Sequence, residues 1–266
     1  MDSFATQDFR FIAMIIAVST VSVLLICWLL DKSKLSNWFK ASEGITASFI
    51  NVPAFLFGLA ISTFAAGVLD NHTTANASLV NESTAVRGLM RLSKTLSSED
   101  QARLVIALNN YIHGVIEVDW PAMQTGDQTN WELTLPEFEL LSATANDIGT
   151  QTRYLGSTGN RLDSMIDSLY HERLLRLSMA YNRPNFERWP SIFVLSFLLL
   201  FTVGLLQLRS PRAMRITLIM GALCIGSSLI FLFLNLSPYC GLNAIKPNML
   251  INSLKAIEID KTRTKL

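Results

Sequence analysis

Charge is what this 266-residue sequence is short of: 16% of its residues are Asp, Glu, Lys or Arg, against 50% hydrophobic residues and a mean hydropathy of +0.34. That is too apolar for an ordinary soluble domain of this size. The shortage is also uneven. Phe11 to Leu30, Ile45 to Leu69, Trp189 to Leu208 and Ile216 to Leu236 hold no acidic or basic residue. Each is long enough to cross a hydrocarbon core of roughly 30 Å as a helix. None contains histidine either, which disfavours a proton-coupled transporter and leaves a channel open.

Cysteine is scarce as well. Cys27 and Cys224 fall inside apolar runs and Cys240 stands just beyond the last one, so neither a disulfide framework nor a CxxC metal spacing is available. A nucleophile elbow, a phosphate loop and a deaminase signature are all missing, so enzyme chemistry has no foothold. Nothing calls for a cofactor, a metal ion or nucleic acid. His113 and Glu117 are one helical turn apart, with His72 and His171 on other helices. Two ligands on one helix fall short of a metal site. Strand-like alternation of useful length is also lacking.

What is present is a pattern of four spans. The first reads as a retained helix, because "MDSFATQDFR" carries two Asp and one Arg and no small-residue cleavage site follows the apolar run. The loop "DKSKLSNWFKASEG" holds Lys32, Lys34 and Lys40, and the joint "RSPRAMR" holds Arg209, Arg212 and Arg215. Positive charge in short loops marks the cytoplasmic side. The N-terminus, residues 70–188 and the C-terminus are therefore expected outside a bacterial inner membrane. The ten basic and fifteen acidic residues of 70–188 suit an exported segment, whereas Lys255, Lys261, Arg263 and Lys265 of the tail suit the cytoplasm better. The expected organisation is all-α: a first transmembrane hairpin over 1–69, an extramembrane helical bundle over 70–188, a second hairpin over 189–236, and a tail over 237–266 with a short amphipathic helix.

Helical period carries the bundle. In "SEDQARLVIALNNYIHGVIEVDWP", Leu104, Val105, Leu108, Tyr111, Ile112, Val115 and Ile116 share a stripe, Ser98 with Gln101 suggests a capping box, and Pro121 closes the pattern. Leu79, Val86, Leu89 and Leu96 form a stripe upstream, with Glu82 in its missing position. Phe138, Leu141, Ala145, Ile148 and Leu155 form a third, introduced by Thr134 and Pro136. A fourth puts Leu162, Ile166, Leu169, Arg173, Arg176 and Ala180 on one face after "GSTGN". Short joints between such helices favour a bundle.

Two residue sets stand out. Glu82 in an apolar stripe needs a partner or a proton, and Arg173 or Arg176 on the last helix is the natural partner. Such a pair fixes helix register or, alternatively, belongs to an ion pathway; solvated side chains at the edge of a stripe are the third reading. In the second span Ala54, Gly58, Ser62 and Ala66 recur every four residues, with the polar Asn51 and a kink expected from Pro53 near its start. Small residues at this spacing let helices approach closely, either within one subunit or at a subunit interface or pore wall. Trp28, Trp38, Trp189 and Tyr239 fall at span ends, as interfacial anchors would.

The order of these features resembles the bacterial bestrophin-like membrane proteins. The resemblance runs over about residues 45–250. It rests on the small-residue-rich second span leading into "NES" and "RGLMRL", then "YIHGVIEVDWPAM", then "RLLRLS" before the third span, and finally "LSPYCG". It implies a homo-oligomer in the lipid bilayer and an ion channel with the second span lining the pore, since bestrophins are oligomeric anion channels. Bestrophins hold the long segment in the cytoplasm, whereas the loop charges here put it outside. Their pore neck is ringed by aromatic residues, for which the second span offers Phe55, Phe57 and Phe64. The competing reading is a non-transporting envelope sensor or scaffold acting through the exported bundle, which would need a partner protein because the inside loops are short.

Overall fold

The computed structural model describes residues 2–34, 36–41, 47–125, 134–154, 156–181, 189–241 and 243–263. Leu155 and residues 45 and 46 of the second apolar run lie outside the described residues. All regular structure among those described is helical, and the chain divides into two compact units.

The first unit draws on Met1–Asp70 and Arg183–Leu236. Helix α1 (Asp2–Cys27) passes into a π turn, Trp28–Lys32, followed by a short α2 (Ser36–Ala41) and a 3-10 turn, Ala47–Ile50. Helix α3 (Asn51–Ser93) begins here, and α8 (Trp189–Leu206) and α9 (Pro211–Leu234) complete the unit. Among the described residues four helices are long and apolar enough to cross a membrane: Phe9–Lys32, Asn51–Ser93, Trp189–Leu206 and Pro211–Leu234. Helix is forced on such stretches, because in lipid every backbone N–H and C=O must be satisfied within the segment. Side-chain hydroxyls follow the same rule. Thr20 donates to Ile16 O at 2.8 Å, Ser196 to Ile192 O at 2.7 Å and Thr202 to Leu198 O at 2.8 Å.

Pro53 occupies the third position of α3. A missing N–H breaks no intrahelical bond there, so it starts the helix instead of kinking it. Helix α1 packs against α8 and α9, and α8 against α9. At Gly204 a Cβ would come 2.8 Å from Leu30 Cδ1 and 3.0 Å from Ile26 Cγ2, so the α8 backbone itself rests on the end of α1 and the π turn after it. Phe11 stacks on Phe233 at 4.4 Å, and Asp31 pairs with Arg215 at 3.3 Å, joining the end of the first span to the start of the fourth.

Exposure suits interfacial anchoring for only part of the expected set. Trp28 and Trp38 are 58% and 65% exposed, but Trp189 is buried against Phe64, ring centroids 5.6 Å apart, because it faces inward at the start of α8. Tyr239 is buried too, in the second unit.

That unit draws on Asn71–Asn182 and Ser237–Leu266. It comprises the remainder of α3, α4 (Ser98–Gly114), a π turn at Val115–Asp119, α5 (Trp120–Thr125), α6 (Leu135–Gly149), α7 (Ser157–Tyr181) and α10 (Asn248–Arg263). The cap of α4 is Ser97, one residue earlier than the Ser98–Gln101 spacing predicts: its Oγ accepts from Asp100 N at 3.3 Å. Asp100 is buried, which by itself would push its carboxyl up; hydrogen bonds from Ser97, Gln151 and Tyr154, with the Arg153 charge, outweigh this and hold it below the usual range. Nor does Pro121 end the helix. The π turn widens the ladder by one residue just before Pro121, and the helix runs on through it to Thr125.

A shared core fills the space between these helices. Leu79, Val86 and Leu89 of α3 meet Leu104, Leu108 and Ile112 of α4, Leu141 and Ile148 of α6, and Leu162 and Leu169 of α7. Helix α10 lies against α4 with Leu250, Ser253 and Ile257 buried. It is reached through a turn in which Gly241 takes φ +89°, a left-handed conformation that favours glycine.

Tyr239 sits in that turn. Its hydroxyl donates to Ala75 O at 3.2 Å, its ring stands 5.5 Å from that of Trp120, and burial pushes its pKa up to about 12. An unfolded tyrosine ionises near pH 10. The folded state therefore holds a proton that the unfolded state has lost, and stability present below about pH 10 declines as pH rises through about 12. Thermal unfolding in detergent should show a steeper alkaline fall for the wild-type protein than for Tyr239→Phe. Identical slopes would remove Tyr239 from the account.

Candidate functional site

Glu82 lies on the core face of α3, between Leu79 and Val86, and is fully buried. Arg176, equally buried on α7, donates from Nε to Glu82 Oε2 at 2.8 Å and from Nη2 to Glu82 Oε1 at 3.3 Å. Tyr111 of α4 donates its hydroxyl proton to Glu82 Oε1 at 2.6 Å. Both carboxylate oxygens are thus engaged, from two different helices.

The network extends through the π turn. Arg176 Nη2 also reaches Asp119 Oδ2 at 3.2 Å, and Thr134 Oγ1 donates to the same oxygen at 2.7 Å. Arg173 donates from Nη2 to Thr134 Oγ1 at 3.3 Å and lies over the Phe138 ring at 6.0 Å. The Arg176 guanidinium is 5.8 Å from the Trp120 ring centroid, and its Nη1 is 3.4 Å from Met123 Sδ. Of the two arginines in the α7 stripe, then, Arg176 meets Glu82, while Arg173 meets Thr134.

The electrostatics favour a charged Arg176 and a neutral Tyr111. Burial alone would lower the Arg176 pKa, but Glu82, Tyr111 and Asp119 together outweigh it, so the guanidinium stays protonated. Burial and the same Glu82 charge raise Tyr111 well above its ordinary value, which keeps it a hydrogen-bond donor. Two carboxylates and two guanidiniums share the enclosure, and their formal charges cancel.

Tyr111 falls on the α4 stripe, whereas Asp119 and Thr134 are the members that helical periodicity does not single out. An α-helix turns each residue by about 100°, so a strict α register fixes where Asp119 points relative to Tyr111. The Val115–Asp119 π turn inserts one residue and resets that register, which brings Asp119 and Trp120 to face α7. The only sequence hint is "VDWP", an acid beside a tryptophan and a proline inside an apolar stripe.

The other set lies on the open side of α3. Asn51, Ala54, Ser62 and Ala66 are exposed and Gly58 is half-buried; a Cβ at Gly58 would meet nothing within 4 Å. Ser62 lines a groove of about 390 Å³ with Ser227, Ser228 and Phe231 of α9. The three phenylalanines diverge: Phe55 is 70% exposed, Phe57 packs at the edge of the core, and Phe64 is buried against Trp189. His113 Nδ1 lies 3.1 Å from Glu117 Oε1 on the exposed side of α4. Among the described residues no three His, Cys, Asp or Glu side chains are grouped to hold a metal.

Comparison with known proteins bears on the whole of this architecture. Two crystal structures of variants of a bacterial bestrophin homologue from Klebsiella pneumoniae are similar in fold. One superposes with a TM-score of 0.68 at 12% identity, covering 94% of this chain and 97% of that one. The other gives 0.64 at 11% identity, covering 96% and 99%. A third solved structure, described as a membrane protein, gives 0.65 at 12% identity over 96% and 98%. No curated protein matches in sequence. The family model of the Bestrophin-like domain matches residues 17–250, and with four helices fit to cross a membrane inside that fold, the chain is a membrane protein that belongs to the Bestrophin-like family.

Proposed function

We propose that this protein is a homo-oligomeric ion channel whose conduit is lined by the open face of α3. The observation that carries the reading is the register of that face. At 100° per residue, Phe55, Ser62, Ala66 and Leu69 fall within a sector of about 60°, and all four are exposed in the single chain. Asn51 and Gly58 fall within about 40° of Ser62, and Ala54 at its margin. The face is uncharged throughout and sets small residues beside the larger Phe55 and Leu69. A lone chain has no use for such a stripe along so long a helix, whereas a ring of copies turned inward would line a passage with it.

On this reading Glu82, Arg173 and Arg176 belong to the frame, setting the register of α3 against α7. The membrane is the bacterial inner membrane, with the basic loops inside and the N-terminus, residues 70–188 and the C-terminus outside. The Asp31–Arg215 pair supports a common side for both loops. Cysteine accessibility tests the orientation: Gln101→Cys should label from outside in intact cells and Ser33→Cys should not. The reverse pattern would overturn it.

Conduction is tested by reconstituting the purified protein in planar bilayers. Discrete current steps that change with substitutions at Ala54 or Gly58 support the channel. Silence across voltage, pH and calcium would favour the sensor or scaffold.

A further inference from the structure

Between the far half of α3 and α7 lies a cleft of about 700 Å³ with two arginines on one wall and hydroxyls on the other. Arg87 and Arg91 are one turn apart on α3, and Ser164 and Ser168 are one turn apart on α7. We infer that this cleft binds a small phosphate-bearing molecule. The inference goes beyond conduction and does not rest on it.

The wall is built for an oxyanion. The Nε of Arg87 is already used, donating to Ser253 Oγ of α10 at 3.3 Å; this fixes the plane of the guanidinium and leaves its two terminal nitrogens for a ligand. Arg91 forms no ion pair among the described residues and is exposed. Two planar forks one turn apart suit an anion with several oxygen acceptors, each able to take parallel N–H bonds, better than a spherical halide. Gly88 follows Arg87 and also lines the cleft; a Cβ there would come 3.1 Å from Met165 Cε, so the Met165 side chain reaches the α3 backbone beside the arginines.

The acidic groups nearby do not neutralise the site. Glu172, at one end of the cleft, is buried; its Oε1 accepts from Asn81 Nδ2 at 3.0 Å and its Oε2 is enclosed by protein. Asp163 and Asp167 each precede a cleft serine, which turns them about 100° around α7, and neither lines the cleft. A cation would thus meet two guanidiniums and no open carboxylate oxygen, whereas a phosphate would meet donors on both sides.

The phosphate group is common to a free metabolite and a lipid headgroup, and the test separates them. The full-length protein in detergent is titrated with inorganic phosphate by calorimetry, and separately with short-chain phosphatidic acid. Saturable phosphate binding is expected, weakened at least about tenfold in Arg87→Ala and in Arg91→Ala. It should be partly retained in Arg91→Lys and unchanged in Arg103→Ala, whose guanidinium pairs with Asp147 elsewhere in the unit. Binding of phosphatidic acid alone, lost in the same variants, would assign the site to a headgroup. No saturable binding of either probe, or binding unaltered in the Arg87→Ala/Arg91→Ala double variant, would overturn the site. A failure to record currents would leave both results standing.

Discussion

Arg176→Met should lower the stability of the detergent-solubilised protein by about 3–5 kcal/mol, the usual cost of removing one member of a buried charge network. The substitution keeps most of the side-chain volume, so the loss is electrostatic. It strips Glu82 of two hydrogen bonds and Asp119 of one, leaving two buried carboxylates with Tyr111 and Thr134 as their remaining partners. Glu82→Gln should be milder, about 1–3 kcal/mol, because the amide still accepts from Tyr111 and Arg176 keeps its bond to Asp119. The order of the two variants is the informative part. A net charge pair is worth little once desolvation is counted, so replacing Glu82, Asp119 and Arg176 together by apolar residues of similar volume should recover much of the loss. Equal melting temperatures for wild type and Arg176→Met would mean that water reaches the enclosure and that the network is not a frame.

What the sequence discloses and what it hides divide along physical lines. The four spans are legible because a bilayer demands about twenty uncharged residues in a row, and chance seldom supplies that four times. Helices α4, α6 and α7 are legible because each has one buried face and 3.6-residue period marks it. Glu82 draws notice for the converse reason, as an acid interrupting such a face. Asp119 is hidden by the π turn, since every periodic reading assumes a constant angle per residue and this helix changes it midway. The same insertion explains why Pro121, an apparent stop, lies inside a helix that runs on to Thr125.

Trp189 and Tyr239 are hidden differently. Position near a span end predicts an aromatic belt, but position along a helix says nothing about which way a ring faces. Phe64, Phe11 and Phe233 surround Trp189, and Trp120 and Ala75 receive Tyr239. Those partners come from elements far apart in sequence. The α3–α7 cleft belongs to the same class: Arg87 and Arg91 read as surface charge until α7 sets Ser164 and Ser168 opposite them.

Gly58→Trp should cut single-channel conductance at least about tenfold, because a large ring on an uncharged passage wall both narrows and dries it, while leaving the melting temperature of the protein near that of wild type. The same helix carries its own control. Gly67 is nine residues on, half a revolution away at 100° per residue, and like Gly58 it has nothing within 4 Å of an added Cβ. Neither tryptophan meets an obstacle inside the chain, so packing cannot separate them; only what lies outside each face can. If the face of Ser62 looks into a conduit, the opposite face looks elsewhere, and Gly67→Trp should conduct as the wild type does. Loss of current in both variants would point to general damage to α3. Loss in Gly67→Trp alone would put the conduit on the other side of the helix and remove Asn51, Ala54, Gly58, Ser62 and Ala66 from its wall. Unchanged current in both would detach α3 from conduction altogether.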